Sequence, residues 1–261
     1  MPKVLPKEQQ DLIFEHYESG DFDWLAKKLG KRKKSITEWA RKQGLKRKIE
    51  VKRRGNLEPL LSGTLESFYW LGFIAADGYI GKNGHLMVSQ SIKDRDRVDE
   101  LAKYLKTTVY EYKQKTDFSE SSFDVFRVNV CDKVIGCKIR DMFNIQEDKP
   151  KTYTGISVDF INNENQAASF LCGIIDGDGS LHPSQNYKIQ CHTSWMNTFN
   201  NLLKKLPQDI SDHYSMKISK NPSKKNPYLY IYFKKSASDN IRKFAHNNNI
   251  PCSGRKFPKD L

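Results

Sequence analysis

An internal repeat constrains the fold of this chain more than any other feature. The segments Phe68–Ile80 and Ser169–Leu181 align without a gap at an offset of 101 residues, and the same offset places Leu86–Gln90 over Tyr187–Cys191. Later segments match at an offset near 105. Each copy reads helix, two strands, helix, two strands, helix. The repeat therefore predicts an α+β fold in which two αββαββα units pack around a pseudo-twofold axis.

The first helix of each copy carries a face of small residues. Gly72 and Ala76 in the first copy, and Gly173 and Gly177 in the second, lie four positions apart and so share one side of a helix. Small side chains at this spacing allow two helix backbones to approach closely. We therefore expect the two repeated helices to cross along these faces.

Each of these helices ends at an Asp-Gly pair. We expect Gly78 and Gly179 to adopt the left-handed conformation that ends many helices. The crossing then brings Asp77 and Asp178 together at the two helix C-termini, where it is costly to ionise both carboxylates without a cation. Oxygen ligands of this kind favour Mg²⁺ over zinc. The repeat therefore predicts a divalent metal site with one aspartate from each copy.

The distribution of charge indicates a polyanionic partner. The chain has a formal net charge of +13 over 261 residues, and Leu25–Arg54 alone holds fourteen Lys and Arg against two acids. Met1–Trp24 has the opposite balance, with two basic and six acidic residues. A basic block beside a folded pattern is typical of nucleic-acid binding, and the alternative is a basic tail that maintains solubility.

Three short helical patterns precede the repeat. Their apolar residues predict a small core made of Leu12, Ile13, Tyr17, Trp24, Leu25, Leu29, Ile36, Trp39 and Ala40. The segment resembles helix-turn-helix domains, whose third helix enters the major groove; the alternative is a three-helix module that binds protein. The outward positions predicted to reach bases or phosphates are Lys34, Ser35, Thr37, Glu38 and Arg41. The residues predicted mostly to hold the DNA backbone are Lys31, Arg32, Lys33 and Lys42.

These patterns divide the chain into four parts. We expect a helix-turn-helix domain at 1–48, a basic linker at 49–60, and the two repeats at 61–155 and 156–261. The five cysteines show no paired spacing, and no apolar stretch reaches the ~20 residues that span a bilayer. These features predict a soluble protein in a reducing cytoplasm, with no membrane partner.

Both repeated segments resemble the LAGLIDADG motif of homing endonucleases. The first reads Trp70–Gly78 and the second, nearer the consensus, reads Leu171–Gly179. The resemblance covers the chain from about Leu61 to the C-terminus. It implies a monomer with two pseudosymmetric halves, whose two four-stranded antiparallel sheets form a saddle along the major groove of double-stranded DNA.

The resemblance also implies an activity and a metal site. It implies hydrolysis of one phosphodiester on each strand with 3′ overhangs, using Mg²⁺, for which Mn²⁺ substitutes. By motif position, Asp77 and Asp178 are the metal ligands, and the main-chain carbonyls of Ala76 and Gly177 are plausible further ligands. Ala75 stands where many relatives have another acid, and we expect this difference to have little effect.

Two further roles follow from the resemblance, and each is unequal between the copies. Gln90 fits the residue that orders water, and its match in the second copy is Cys191, with Gln190 beside it. Lys234 fits the lysine that steadies the transition state, and its match in the first copy is Asn129. These differences predict two unequal half-sites.

Residues of the second sheet are predicted to read the DNA. Strand alternation sends one set of side chains to the DNA and the other into the core, and the sequence leaves open which set does which. For the aromatic residues, core packing is the favoured interpretation. The set comprises Lys188, Gln190, His192, Lys217, Tyr228, Tyr230 and Tyr232.

The sequence therefore predicts a site-specific double-strand DNA endonuclease from a phage or bacterial host, with a long target site. Two alternatives stay open: a DNA-binding regulator that has lost cleavage, and a maturase that binds structured intron RNA. Basic charge alone does not separate RNA from duplex DNA. The retained motif acids favour the enzyme, and the helix-turn-helix favours DNA.

Overall fold

The computed structural model describes residues 5–17, 22–45, 55–116, 119–146, 151, 154–219 and 227–259. The chain divides into two compact units, Met1–Lys52 and Arg53–Leu261. Residues 46–54, which include most of the predicted boundary, lie outside the described ranges. None of the helices within those ranges combines the length and the apolar character needed to cross a membrane.

The smaller unit consists of three helices, α1 (Lys7–His16), α2 (Phe22–Leu29) and α3 (Lys33–Lys42). The predicted inward positions are largely confirmed, with one exception. Trp24 is 41% exposed, because its ring lies at the edge of the unit beside His16, with 4.8 Å between the ring centroids. The buried core of the unit is made by Ile13, Tyr17, Leu25, Ile36 and Ala40.

The larger unit contains the predicted element order twice. The first half comprises α4 (Leu65–Asp77), β1 (Gly78–Ile80), β2 (His85–Ser91), α5 (Arg95–Tyr104), β3 (Val109–Thr116), β4 (Ser119–Cys131) and α6 (Lys133–Met142). The second half comprises α7 (Glu164–Asp178), β5 (Gly179–Leu181), β6 (Tyr187–His192), α8 (Met196–Leu203), the short α9 (Gln208–Ser211), β7 (Tyr214–Ser219), β8 (Tyr228–Phe233) and α10 (Lys235–Asn247).

The two sheets have the same topology. The first has the strand order β1-β2-β4-β3 and the second β5-β6-β8-β7, and every pairing is antiparallel. In the first half, Leu57 and Leu60 are also buried in the core, although both fall in the segment interpreted as a linker. A Tyr104 hydroxyl that donates 2.8 Å to the Pro59 carbonyl helps to hold this segment against α5.

Helices α4 and α7 meet along their small-residue faces. A side chain added at Gly72 would overlap the carbonyl oxygen of Phe170, and one added at Gly173 would overlap that of Tyr69. Ser169 Oγ donates to the Leu65 carbonyl at 2.5 Å across the same contact. The two backbones therefore touch, and the predicted reason for the small residues is confirmed.

The predicted left-handed turn after each helix is wrong. Gly78 has φ −82° and Gly179 has φ −81°, so both are extended residues at the start of a strand. Glycine is needed there for space, because a Cβ at Gly78 would lie 2.6 Å from the carbonyl oxygen of Ile74, and one at Gly179 would lie 2.5 Å from that of Ile175. In each half, the chain passes directly from the helix into the first strand of the sheet.

Candidate active site

The ends of α4 and α7 place Asp77 and Asp178 in one electrostatic site. Asp77 is half-buried and lies against the other helix, since a Cβ on Gly177 would be only 2.9 Å from Asp77 Oδ2. Both aspartates are the last residues of their helices, where the helix dipole is negative. A single site therefore receives one carboxylate from each repeat.

The surroundings favour the neutral form of both acids. Burial is the main cause that raises the pKa of Asp77 to about 6, and the charge of Asp178 raises it further. Asp178 has a solvent-exposed side, yet the protein atoms around its carboxylate raise its pKa as well. Lys151 and Lys256 oppose both shifts. Two facing carboxylates with raised pKa values form a site that gains from a bound cation.

The penultimate residue of the second strand differs between the halves. Gln90 Nε2 donates to Asp77 Oδ2 at 2.5 Å, so this side chain reaches the site. Its match Cys191 lies close enough to Asp178 to feel its charge, and burial followed by that charge raises the pKa of the thiol to about 12. Gln190 has the opposite strand parity and is exposed on the other face. The second half-site therefore has a neutral thiol where the first has an amide.

Two lysines that sequence reasoning did not select occupy the helix ends. Lys151 Nζ donates to the carbonyl of Ala76 at 2.8 Å and also to that of Ala75. Lys256 Nζ donates to the carbonyl of Gly177 at 2.8 Å, and its further partners are the carbonyls of Ile175 and Asp176. Burial lowers the pKa of both lysines, that of Lys151 to about 8. The sequence contains one signal for this pair, because Lys151 and Lys256 match each other at the offset of 105 that relates the ends of the repeats.

The structure places the predicted lysine elsewhere. Lys234 is an exposed residue between β8 and α10. In the sheet register, Gly179 faces Ile189, so the preceding Asp178 is level with Gln190 and with its partner Tyr230 on β8. Lys234 lies four positions beyond Tyr230, or about 13 Å along a strand. The match Asn129 pairs with Met87, on the side of β2 away from Gln90.

The residues present fit a magnesium ion. Mg²⁺ retains several waters and needs only one or two carboxylates from the protein. The carbonyls of Ala76 and Gly177 already accept a hydrogen bond, but a carbonyl oxygen has a second lone pair. Within the described ranges, no group of three or more His, Cys, Asp or Glu forms another metal site. The donor set of the helix ends suits a hard cation and not zinc.

The raised pKa of Asp77 predicts how stability depends on pH. A carboxyl whose pKa is raised from 3.8 to about 6 by folding stabilises the fold only while protonated, and this contribution is lost as pH rises through about 6. At pH 7.5 without metal, Asp77→Asn should therefore raise the free energy of unfolding by up to about 3 kcal/mol, and the gain should shrink towards pH 4. Urea denaturation in EDTA at both pH values measures it.

Magnesium and a surface variant complete this test. Mg²⁺ should stabilise the wild type at pH 7.5 and should have less effect on Asp77→Asn. Asp141→Asn changes an exposed aspartate of α6 and should leave both profiles unchanged. Equal stability of the wild type and the Asp77→Asn variant at every pH would contradict the raised pKa of Asp77.

The second sheet presents a polar and aromatic open face. Three cross-strand rows point away from the core: Lys188, Tyr232 and Ser215; Gln190, Tyr230 and Lys217; His192, Tyr228 and Ser219. The preference for core packing of the three tyrosines is therefore wrong, because the other parity of β8 fills the core with Leu229, Ile231 and Phe233. Lys188 Nζ lies 4.4 Å from the ring centroid of Tyr230.

The first sheet has a comparable open face. Arg127 Nε donates to Ser89 Oγ at 2.8 Å, and its guanidinium lies 4.4 Å from the ring centroid of Tyr112. Tyr79 on β1 is also exposed. Arginine and tyrosine side chains on an open sheet can contact phosphates and base edges.

The third helix of the smaller unit is basic over most of its surface. Of the nine predicted contact residues, only Thr37 is half-buried, and its hydroxyl donates to the Lys33 carbonyl at 2.9 Å. The first turn of α3 contains no acid. The eight exposed members are Lys31, Arg32, Lys33, Lys34, Ser35, Glu38, Arg41 and Lys42.

Comparison with known proteins gives the fold. No protein-family model and no curated protein sequence matches this chain. Among solved structures, the homing endonuclease I-WcaI bound to its DNA recognition sequence matches with a TM-score of 0.52 and 15% identity, over 87% of this chain and 93% of that chain.

Two other solved structures are similar over a smaller part of the chain. Meganuclease I-SmaMI bound to uncleavable DNA has a TM-score of 0.41 and 15% identity, over 72% of this chain and 86% of that one. I-DmoI in complex with DNA and Ca has a TM-score of 0.39 and 14% identity, over 74% and 90%. Of these three matches, the I-WcaI match has a TM-score above 0.5 and supports the conclusion on the fold: the chain has the α+β fold of a homing endonuclease.

Proposed function

We propose that this protein is a site-specific double-strand DNA endonuclease that depends on a divalent metal. The observation that carries the proposal is the pair Asp77 and Asp178 at the touching helix ends, with raised pKa values and one lysine on each side. Because both carboxylates come from one chain, we infer that a monomer suffices for activity. The two open sheet faces supply basic and aromatic side chains for binding the duplex.

The chemistry follows from the groups at the helix ends. Asp77 and Asp178 would hold Mg²⁺, with the carbonyls of Ala76 and Gly177 as additional donors; when bound, the ion supplies Lewis acidity and activates water for hydrolysis of a phosphodiester. The ammonium groups of Lys151 and Lys256 attract the phosphate and offset negative charge that grows on its oxygens. Gln90 holds the Asp77 carboxylate in place and can orient water beside it.

The proposal also covers which strand each half of the protein cuts. We infer that the two halves are related by a pseudo-twofold axis, so that each acts on one strand and the products carry 3′ overhangs. The substitution of Cys191 for Gln90 makes the second half-site unequal, because a neutral thiol is a weak hydrogen-bond donor. The division of the chain into a helix-turn-helix domain, a linker and two repeats belongs to the same proposal.

The smaller unit is proposed to extend the contact with DNA. Replacement of Lys31, Arg32 and Lys42, at the two ends of α3, by Gln should weaken binding equally on target and non-target duplexes, because phosphate contacts carry little sequence information. The slope of log K against log salt should fall by up to about 3, at roughly 0.9 for each lost contact. Fluorescence anisotropy over a salt series measures this, with Lys7→Gln on α1 as the control.

An unchanged slope for the triple variant would show that α3 does not lie on DNA. In that case the three helices would serve as a protein-binding module, which was the alternative interpretation of the sequence.

Cleavage of a randomised duplex library tests the proposed function. The purified chain is incubated with the library in Mg²⁺ or in EDTA, and the new ends are sequenced. We expect 3′-overhang ends at one recurring sequence in Mg²⁺ and none in EDTA. Retention of one DNA sequence without any cut would favour a regulator, and selective retention of structured RNA would favour a maturase.

A further inference from the structure

The turn that follows the second strand has matching polar contacts in the two halves. This turn and the first residues of the next helix contain Asp94 and Arg97 in the first half and Trp195 and Thr198 in the second. The members of each pair match at the offset of 101 that relates the repeats. All four side chains contact the chain around the active-site lysine of the other half, and one of these contacts, at Ile156, lies just past the predicted end of the first repeat.

The second half holds the segment of Lys151. Trp195 Nε1 donates to the main-chain carbonyl of Lys151 at 3.2 Å. Thr198 Oγ1 donates to the carbonyl of Ile156 at 2.6 Å and accepts from its amide at 3.0 Å. The lysine that reaches the end of α4 in the first half is therefore fixed by side chains of the second half.

The first half holds the segment of Lys256 in the same way. Arg97 Nη1 donates to the carbonyl of Pro251, and the Asp94 carboxylate pairs with the Arg255 guanidinium next to Lys256. Arg97 is buried, and its Nη1 also lies 3.8 Å from Asp176 Oδ2.

Asp176 connects this contact to the helix that ends in the site. The Ser253 amide donates 2.8 Å to Asp176 Oδ2, which also accepts from the Tyr69 hydroxyl at 2.6 Å. The segment of Lys256 is thus held on one side by its own helix α7 and on the other by Arg97 of the first half.

We propose that each half of the protein positions the lysine of the opposite half-site, through Asp94 and Arg97 in one direction and Trp195 and Thr198 in the other. The inference rests on the proposed function, since it assigns these residues to the rate on one strand. Small displacements of a positioned group have large effects on rate, whereas the loss of a general fold contact affects both strands alike. A change in the first half should therefore slow the strand served by Lys256, and a change in the second half the strand served by Lys151.

Strand-specific cleavage tests the proposal. A target duplex from the library selection is labelled differently on each strand, and single-turnover rates are measured for both strands in Mg²⁺. Lys151→Met and Lys256→Met first establish which strand each lysine serves. Arg97→Lys and Trp195→Phe should then slow opposite strands, so that the ratio of the two rates moves by about three- to tenfold in opposite directions.

Milder and matched variants keep the test independent of folding. Asp94→Asn and Thr198→Val remove one contact each and should shift the ratio in the same two directions, by a smaller factor. Asp99→Asn breaks only a half-exposed pair with Arg95 on α5 and should leave the ratio unchanged.

Two results would overturn the inference, and they differ from each other. Equal slowing of both strands by the variants of both halves, with a cutting wild type, would show that these contacts serve only the fold. A wild type that cuts neither strand would remove the proposed function and this inference with it.

Discussion

Replacement of either motif aspartate by asparagine is expected to reduce cleavage by about 10³-fold or more. Asp77→Asn and Asp178→Asn each remove one of the two carboxylates on which the metal site depends, while the shape of the side chain is kept. Because each variant also removes a negative charge that faces the phosphates, binding of the duplex in EDTA should be equal to that of the wild type or tighter. Single-turnover cleavage and anisotropy on one target measure both effects.

Asp141→Asn is the matched control for these variants. It removes the same charge from an exposed position on α6 and should cleave as fast as the wild type. If Asp178→Asn kept more than a tenth of the wild-type rate while Asp141→Asn behaved normally, Asp178 would not be a metal ligand, and the proposed centre would have to be placed elsewhere.

A single methyl group at Gly173 is expected to destabilise the larger unit by about 3–5 kcal/mol. The added carbon would overlap the carbonyl oxygen of Tyr69 and would lie 2.6 Å from the amide nitrogen of Phe73, both main-chain atoms of α4. Main-chain atoms of a buried helix cannot move aside alone, so α4 and α7 would have to separate. A loss of this size is a large part of the total stability of a domain. The midpoint of urea unfolding measures it.

The chain supplies a control for this variant at Gly254. A Cβ there has no neighbour within 4 Å, and its φ lies outside the left-handed region, so Gly254→Ala should change stability by less than about 0.5 kcal/mol. Equal unfolding midpoints for Gly173→Ala and Gly254→Ala would mean that the two helices do not touch as described.

Much of the fold could be predicted because the same pattern of helices and strands occurs twice in the sequence. The offset between Phe68 and Ser169 gave the element order of both halves, and the spacing of Gly72 and Gly173 gave the helix contact. The turn at Gly78 could not be predicted in the same way. A glycine after a helix is compatible with a left-handed end and with a tight entry into a strand, and only the packing against Ile74 distinguishes them.

The sequence also did not show which alternate residues of each strand face the core. Tyr230 and Ile231 are both good core residues, and the choice between them depends on which side the helices cover. The smaller unit gives a similar case, since Trp24 has helical spacing yet lies at an edge. Large amphipathic side chains do not show by themselves which face is buried.

The candidate site was predicted in part. Asp77, Asp178 and Gln90 lie together where the motif and the second strand indicate. Lys151 and Lys256 were not predicted, because their reach to the helix ends depends on contacts between distant parts of the chain. Asp176, by contrast, stands where the first copy has Ala75, and its contact with Ser253 gives this acid a place in holding the segment of Lys256.

Anomalous scattering from Mn²⁺ in crystals of this protein with its target duplex tests the proposed metal site most directly. We expect anomalous density in contact with the carboxylates of Asp77 and Asp178, beside the phosphodiesters that are cut. Mn²⁺ bound away from both aspartates, or a duplex bound on a surface other than the open faces of the two sheets, would contradict it.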